Sequence, residues 1–564
     1  MTQQHDLLHW YEASLPQRER KLRGHFSTPP LLVEQVLDAC GYTPDKDLSG
    51  IRVLDPACGS GNFLAAASRR LLSYGKQVGL SARTLARYTH HNIWGFDPDP
   101  IACMLAELQM HATFNSCYPR SQALHRLHIH QADGLAFPWQ QCKHVDLFLA
   151  NPPYLAAKNN DLSGYRSTHL RGQVDSYLLF LNMALQVVRP GGWIGLVLPD
   201  PVLARSNATQ ERQRLLAETT IHHIWHLADV FAAYVGAVVI IAQKTPPHTH
   251  HQINWRRERW IDAVPAQAAD KVSLPLQMVT TVSQDLLSQQ PGAELRYLLS
   301  TIKGTIIERL QRQLHMQGNS QTPRTLACLG EYVLIRRGEE LGKESALLKS
   351  SAPQPNELKW YPVLRGGIDI HPYAIPTASC WIAREQIVKP LDRYLAPKIL
   401  LVKSAGRLQA TLDTQGHVVL QTLYMLQLSA NPTSQPETQA LFSAEDELYF
   451  LMALLNSRIL QDYLYALHTA YKWVQPQIEQ HVLAQLPVPA QAAYTEKEQI
   501  IDRAKLLMHA CSKSSSVVEL KAQSYELYEE QERAICALYE IALQQRRVPD
   551  PPHDVVDEGV SLYG

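Results

Sequence analysis

The hydrophobic and polar positions change rhythm repeatedly along this chain, and over about the first 245 residues short apolar runs alternate with stretches of helical spacing. Leu31, Leu32, Val36 and Leu37 predict a helix, with Thr28 as its N-cap and prolines in its first turn. Ile51-Arg52-Val53-Leu54 predicts a strand, followed by a Gly-rich turn and a helix to about Leu72. Ile93-Trp94-Gly95-Phe96 predicts a second strand, ending at Asp97-Pro98-Asp99-Pro100, with a helix over about 101–111. Leu127-His128-Ile129-His130 is a third strand, closed by Ala132-Asp133-Gly134, and the apolar run from Val145 to Ala150 is a fourth. Asp175 is placed to cap an apolar helix over 177–188, which Arg189-Pro190-Gly191-Gly192 ends. Residues 193–199 read as a buried strand. Residues 221–227 and 235–241 read as an antiparallel pair at the sheet edge. Strands alternating with helices predict an α/β fold with a doubly wound sheet.

The alternation stops around Thr245-Pro246-Pro247-His248-Thr249-His250, where a domain boundary is expected. That gives a first domain over 1–247, a linker or insertion over 248–320, an α+β domain over 321–490 and a helical tail over 491–564. The tail is expected to be disordered from Pro549 onward. His248, His250 and His251 have no matching ligands nearby, so a solvated linker is expected there and no metal site.

Bulk numbers narrow the class. Hydrophobic content of 45% and charged content of 19% describe an ordinary globular chain, and 564 residues leave room for several domains. Nine scattered cysteines without a Cys-x-x-Cys pair exclude a zinc ribbon or a disulfide framework and point to reduced thiols. With neither a signal-type core nor an apolar stretch of membrane-spanning length, the cytoplasm is the expected compartment and no membrane partner is expected. The formal net charge is zero, so any nucleic-acid surface must be local. Such an excess exists over 324–407, with about thirteen Lys/Arg against about eight Asp/Glu. There Arg336, Arg337, Lys343, Arg365, Lys398, Lys403 and Arg407 are interleaved with Tyr332, Trp360, Tyr361, Tyr373 and Trp381. This is either a phosphate-binding face or an ordinary solvated one.

The sharpest chemistry is Asn151-Pro152-Pro153-Tyr154, directly after the fourth strand. Two prolines forbid both helix and further ladder, so the backbone leaves the sheet stiffly with unpaired carbonyls. An amide and a proline carbonyl can accept both hydrogens of an exocyclic amine, while the tyrosine ring stacks on a flat group. Upstream, Asp55-Pro56-Ala57-Cys58-Gly59-Ser60-Gly61 lies between a strand and a helix, where small residues let a ligand approach the backbone. Neither the dinucleotide pattern nor a phosphate-loop Gly-Lys-Ser/Thr ending is present.

That loop resembles the S-adenosylmethionine (SAM) loop of class I methyltransferases. In such folds Asp97 is placed for a ribose diol, with Asp99 the alternative or a simple helix cap. Asp133 would face the cofactor adenine or serve as a turn aspartate. Phe231, in the loop between the last two strands, would be either a second aromatic wall or a buried anchor. Over nearly its whole length the chain resembles the adenine-N6 DNA methyltransferases of the TaqI type. The motifs run in that family's order, from Phe26-Ser27-Thr28-Pro29-Pro30 through Asn151-Pro152-Pro153-Tyr154. They continue into Leu329-Gly330-Glu331, Tyr361-Pro362-Val363-Leu364-Arg365-Gly366, Leu455-Asn456-Ser457, Val474-Gln475-Pro476 and Leu486-Pro487-Val488-Pro489. The resemblance implies a Rossmann-like mixed sheet followed by a target-recognition domain. It implies SAM as cofactor, bound by Thr28, Asp55, Ala57, Gly59, Gly61, Asp97 and Asp133. Asn151 and the Pro152 carbonyl would hold the target adenine N6, with Tyr154 and Phe231 sandwiching the flipped base. Double-stranded DNA is the expected partner, with a separately encoded restriction nuclease or defence-system subunits as further possible partners. The rivals are an RNA base methyltransferase, a release-factor glutamine methyltransferase and a non-catalytic DNA-binding subunit of a defence complex. The release-factor enzymes resemble a single catalytic domain and leave some three hundred residues unexplained. No Pro-Cys nucleophile of the cytosine-C5 kind is present.

Overall fold

The computed structural model describes residues 27–119, 124, 126–136, 144–155, 175–231, 236–260, 278–298, 302, 305–315, 326–351, 359–429, 442–471, 477–489, 494–513 and 525–539. Phe26, Val474-Gln475-Pro476 and the tail from Pro549 lie outside the described residues. The chain divides into two units, 1–300 and 301–564. Among the described residues, no helix is long and apolar enough to cross a membrane.

The first unit is built on one sheet of β1 (Val53–Asp55), β2 (Ile93–Asp97), β3 (His128–Gln131), β4 (Val145–Ala150), β5 (Val188–Pro199), β6 (Thr220–Ala228), β7 (Ala237–Gln243), β8 (Gln252–Arg259) and β9 (Met278–Ser283). Their order is β3-β2-β1-β4-β5-β7-β6-β8-β9. The first five strands in that order run parallel, and β7 lies antiparallel between β5 and β6. Helices α1 (Pro30–Ala39), α2 (Asn62–Gln77), α3 (Ala82–Asn92), α4 (Pro100–Cys117), α5 (Ser176–Val187) and α6 (Thr209–Glu218) accompany it. Leu32, Val33, Val36 and Leu37 of α1 and Phe63, Leu64 and Leu71 of α2 share one core with Val53, Leu147, Leu149, Val239 and Ile241 of the sheet. Burial on both faces explains why β4 and β7 are near-continuous apolar runs rather than alternating ones.

Three expectations need correction. The antiparallel pair β6–β7 is not at the sheet edge, because β8 pairs parallel to β6 and β9 antiparallel to β8. Residues 252–283, expected within a linker, therefore supply two strands. β8 was illegible because Arg257, only 8% exposed, occupies an inward position beside Ile253 and Trp255 and breaks the apolar alternation. The histidines before it make a turn in which His248 and His250 are exposed, as expected, while His251 is tied to the sheet. His251 Nε2 lies 2.8 Å from the Ile221 carbonyl, and the His250 N–H donates to Asp285 at 2.8 Å. Finally, Arg189-Pro190-Gly191-Gly192 does not separate helix from strand, since β5 already begins at Val188. Gly191 adopts φ +79°, and Gly191 and Gly192 exchange backbone bonds with Lys244 at 2.8 Å.

The second unit is α+β, as expected. β11 (Val333–Arg337), β17 (Leu423–Leu428), β14 (Lys398–Val402) and β15 (Ala410–Asp413) form an antiparallel sheet in that order. A second sheet has β12 (Trp360–Leu364) between β13 (Cys380–Ala383) and β16 (Val418–Val419), and β10 (Leu326–Cys328) pairs with β18 (Pro487–Pro489). Helices α7 (Ala444–Leu455), α8 (Arg458–Leu467), α9 (Tyr494–Lys513) and α10 (Tyr525–Leu538) follow. The short motifs are joints between these elements. Asn456 ends α7 and exchanges two 2.9 Å bonds with the backbone of Ala410 in β15. Gly366 packs where a Cβ would lie 2.6 Å from the Thr422 carbonyl.

Several residues of the basic, aromatic stretch belong to this core. Tyr361 and Tyr373 are buried, and Lys398 is fully enclosed because its position on β14 faces inward. Lys398 Nζ meets Asp413 Oδ2 at 2.6 Å, while His417 Nδ1 meets Oδ1 at 2.9 Å. Burial alone would raise the Asp413 carboxyl, but the His417 bond and the Lys398 charge hold it down, at about 2. Its contribution to stability is therefore present above about pH 4 and lost as the pH falls through 2. Asp413→Ala strands a buried ammonium, and denaturant titration should show a loss of about 3–5 kcal/mol. The double variant Lys398→Met/Asp413→Leu should lose clearly less.

Candidate active site

Asp55 ends β1, and the turn after it enters α2 at Gly61, which takes φ +91° as the N-cap. A Cβ on Gly61 would lie 2.7 Å from that of Ala106, so only glycine lets the loop rest on α4. From the neighbouring strand, Asp97 braces the same loop. Its Oδ2 accepts the Gly59 N–H at 3.0 Å and its Oδ1 accepts that of Asp99 at 2.9 Å. Asp99 caps α4 through the Ile101 N–H at 2.8 Å. Asp133 makes a turn, accepting the Leu135 N–H at 2.9 Å. That turn presses on the loop so tightly that a Cβ on Gly134 would stand 2.0 Å from the Pro56 carbonyl.

Thr28 reaches the cluster by another route than expected. It is not the N-cap of α1: Pro29 holds that position and no side chain caps the helix. Instead the Asn62 amide donates to the Thr28 carbonyl and to Ser27 Oγ, both at 2.9 Å. Gln109 of α4 secures the arrangement, donating to the Ser60 carbonyl at 2.8 Å and to Asn62 at 3.2 Å. Thr28, Asp55, Ala57, Gly59, Gly61, Asp97 and Asp133 therefore line one loop cluster.

The cluster is acidic. Burial pushes the Asp55 carboxyl up to about 8; the Ala57 N–H at 3.1 Å opposes this, and the Asp97 charge adds to it. A buried acid raised by its surroundings regains its charge when a cation is set beside it. A small-residue loop with open backbone and buried carboxylates thus fits a cationic cofactor bearing a ribose.

One strand over from β1, β4 delivers Asn151, Pro152 and Tyr154. Pro152 is buried, and Asn151 and Tyr154 are half-buried. Phe231 meets Tyr154 edge to face, with ring centroids 6.3 Å apart and planes at 76°. A flat group entering between them would replace this edge contact with face contacts. Two neighbours were not anticipated. Asp200 directly follows β5 and is buried, and after burial itself its charge is the second influence raising the Tyr154 hydroxyl. Its signal, an acid directly after a buried strand, is the one that identified Asp97. Trp260 follows β8, donates its N–H to the Ala228 carbonyl at 2.9 Å and packs in the core cluster that includes Phe231. It fell within the stretch assigned to a linker.

Residues 2–257 match the N-6 DNA Methylase family model, and residues 361–488 match the TaqI-like C-terminal specificity domain. The chain thus carries an N-6 DNA methylase domain followed by a TaqI-like specificity domain. It is 27% identical over 196 residues to the type II methyltransferase M.BstVI of Geobacillus stearothermophilus, covering 33% of this chain and 35% of that protein. To the type II methyltransferase M.VspI of Vibrio sp. (strain 343) it is 25% identical over 248 residues, covering 43% and 53%. The chain thus spans about a third to a half of the length of these relatives. In fold it is similar to the type IIL restriction-modification enzyme MmeI in complex with DNA, with TM-score 0.58 and 12% identity, over 98% of this chain and 81% of that one. The chain therefore shares a fold with a restriction-modification enzyme far removed in sequence.

The contact at Gly134 gives a direct test of the loop's packing. Gly134→Ala should displace Pro56 and lower unfolding stability by about 1–3 kcal/mol in denaturant titration. Gly50→Ala, where a Cβ meets nothing within 4 Å and φ is likewise not positive, supplies the comparison without a clash.

Proposed function

We propose that this chain transfers the methyl group of SAM to N6 of an adenine flipped out of double-stranded DNA, at sites chosen by its specificity domain. The observation that carries the reading is the placing of Asn151-Pro152-Pro153-Tyr154 on the strand next to the Asp55 loop, with Phe231 against Tyr154. Thr28, Asp55, Ala57, Gly59, Gly61, Asp97 and Asp133 would hold SAM, which when bound supplies an electrophilic methyl on a sulfonium. The target amine is buried in the duplex, so the base is extruded at an unstacking cost of a few kcal/mol. Tyr154 and Phe231 take the base face to face, replacing the lost stacking. Asn151 Oδ1 and the Pro152 carbonyl accept the two amine hydrogens and draw the nitrogen lone pair out of conjugation with the ring. Catalysis then rests on positioning and fixed dipoles, with no covalent enzyme intermediate.

Exposed Arg337, Lys343 and Arg407 of the second unit would neutralise phosphates, leaving sequence readout to neighbouring groups. Similarity to type II methyltransferases supports a restriction-modification or phage-defence setting, in the cytoplasm and alongside a separately encoded nuclease or further subunits.

Purified protein should transfer labelled methyl from SAM to double-stranded DNA as N6-methyladenine. Label appearing in RNA or protein and not in DNA would overturn the reading. Asn151→Ala should abolish transfer and leave SAM binding intact, by isothermal titration calorimetry. The raised Asp55 carboxyl sets a pH dependence. The carboxyl is largely protonated below about 8 and must ionise beside a cationic cofactor. SAM affinity should therefore rise toward pH 8, by up to about tenfold per unit, with proton release on binding. Asp55→Asn should flatten that slope; an unchanged slope removes Asp55 from the cofactor site.

A further inference from the structure

We propose that Ser176 is a positioning residue for methyl transfer, fixing the direction in which the Pro152 carbonyl faces the target amine. This rests on the reading that Asn151 and Pro152 hold that amine. Pro152 and Pro153 have no N–H, so this stretch cannot anchor itself through its own donors at those positions. Asn151 and Pro152 each precede a proline and are confined to extended or polyproline conformations. With about three residues per turn in such backbone, successive carbonyls point about 120° apart, so fixing one sets the other. Ser176 fixes the second of the two.

Ser176 opens α5 and is 2% exposed. Its hydroxyl donates to the Pro153 carbonyl and accepts the Leu155 N–H at 3.0 Å, while its own N–H donates to the Leu155 carbonyl at 3.0 Å. One residue thus closes on the carbonyl next to the proposed acceptor and on the peptide groups two residues further along. The helix start is itself held. Asp175, expected to cap α5, makes no cap bond and instead takes Arg205 Nη1 at 3.0 Å and Asn207 Nδ2 at 3.4 Å. The carbonyl of Arg205 accepts Arg212 Nη1 at 2.8 Å. Arg212 is fully buried and also binds the carbonyls of Val202 at 3.0 Å, Gly292 at 2.7 Å and Ala293 at 3.1 Å. The clamp is therefore tied to the interior of the unit.

Removing the hydroxyl leaves the Pro153 carbonyl and the Leu155 N–H without this partner, so the Pro152 carbonyl loses the tie that fixes its direction within the range its prolines allow. The test compares full-length wild type, Ser176→Ala and Ser176→Thr. Single-turnover methyl transfer into unmodified double-stranded DNA, SAM affinity and thermal melting are measured on each. Ser176→Ala should slow transfer by about 10- to 100-fold with SAM affinity within about twofold of wild type, and Ser176→Thr, which keeps the hydroxyl, should recover most of the rate. A wild-type rate in Ser176→Ala overturns the proposal. So does a slow variant that has lost SAM affinity and melting temperature together and is not rescued by threonine, because that is general damage. If wild type labels RNA instead of DNA, the DNA reading fails alone, and the same three proteins compared on RNA decide the clamp.

Discussion

Parallel pairing of β1 with β2 and with β4, and of β4 with β5, forces the carboxyl ends of four adjacent strands onto one edge of the sheet. Asp55, Asp97, Asn151 and Asp200 stand at or just past those ends. Chain leaving such an edge loses its ladder partners, so each departure needs its own device. After β1 the device is small residues and a left-handed glycine, which bring the backbone within reach of a ligand. After β4 it is two prolines, which hold the backbone open without donors. Because β1 and β4 are neighbours, a methyl donor on one and a methyl acceptor on the other would meet without any large movement of either strand.

Buried charge separates scaffold from chemistry. Asp413 and Asp55 are equally enclosed, yet their carboxyls move in opposite directions. Asp413 has an ammonium and an imidazole at hand and is held low, at about 2. At Asp55 burial prevails and the Asp97 charge adds to it, pushing the carboxyl up to about 8. A carboxylate satisfied inside the chain is structural; one raised at a strand end is poised for a charge brought from outside.

What was legible in the sequence was what local backbone chemistry dictates. Glycines at the turn after β1, consecutive prolines after β4 and an acid at the end of β2 each limit the backbone to few shapes, and all were found where they were expected. Thr28 was placed correctly in the chain but for the wrong reason, since its tie to the cluster runs through Asn62, some thirty residues away. β8 and α6 were missed because Arg257 and Arg212 occupy inward positions. Arg212 can do so only because backbone carbonyls of two distant turns converge on it, which no periodicity reveals. Lys398 was read as a surface charge for the converse reason: its partner Asp413 lies fifteen residues on, across a strand pair. Ser176 carried no signal, because a serine at a helix start has many ordinary uses.

The continuation of the sheet beyond β6 bears on how such chains exchange parts. Recombination that swaps one specificity half for another is harmless only where no fold is cut. A crossover after Pro247 would bare the edge of β6 along its whole length, an invitation to pair with other chains. It would also remove Gln284, whose amide bonds the Ile221 N–H at 3.0 Å and the carbonyls of Leu216 at 2.8 Å and Thr219 at 2.6 Å. Exchange of the specificity domain would therefore leave the first unit intact only at joints beyond Ala293, so that it keeps its last two strands and the carbonyls that bind Arg212.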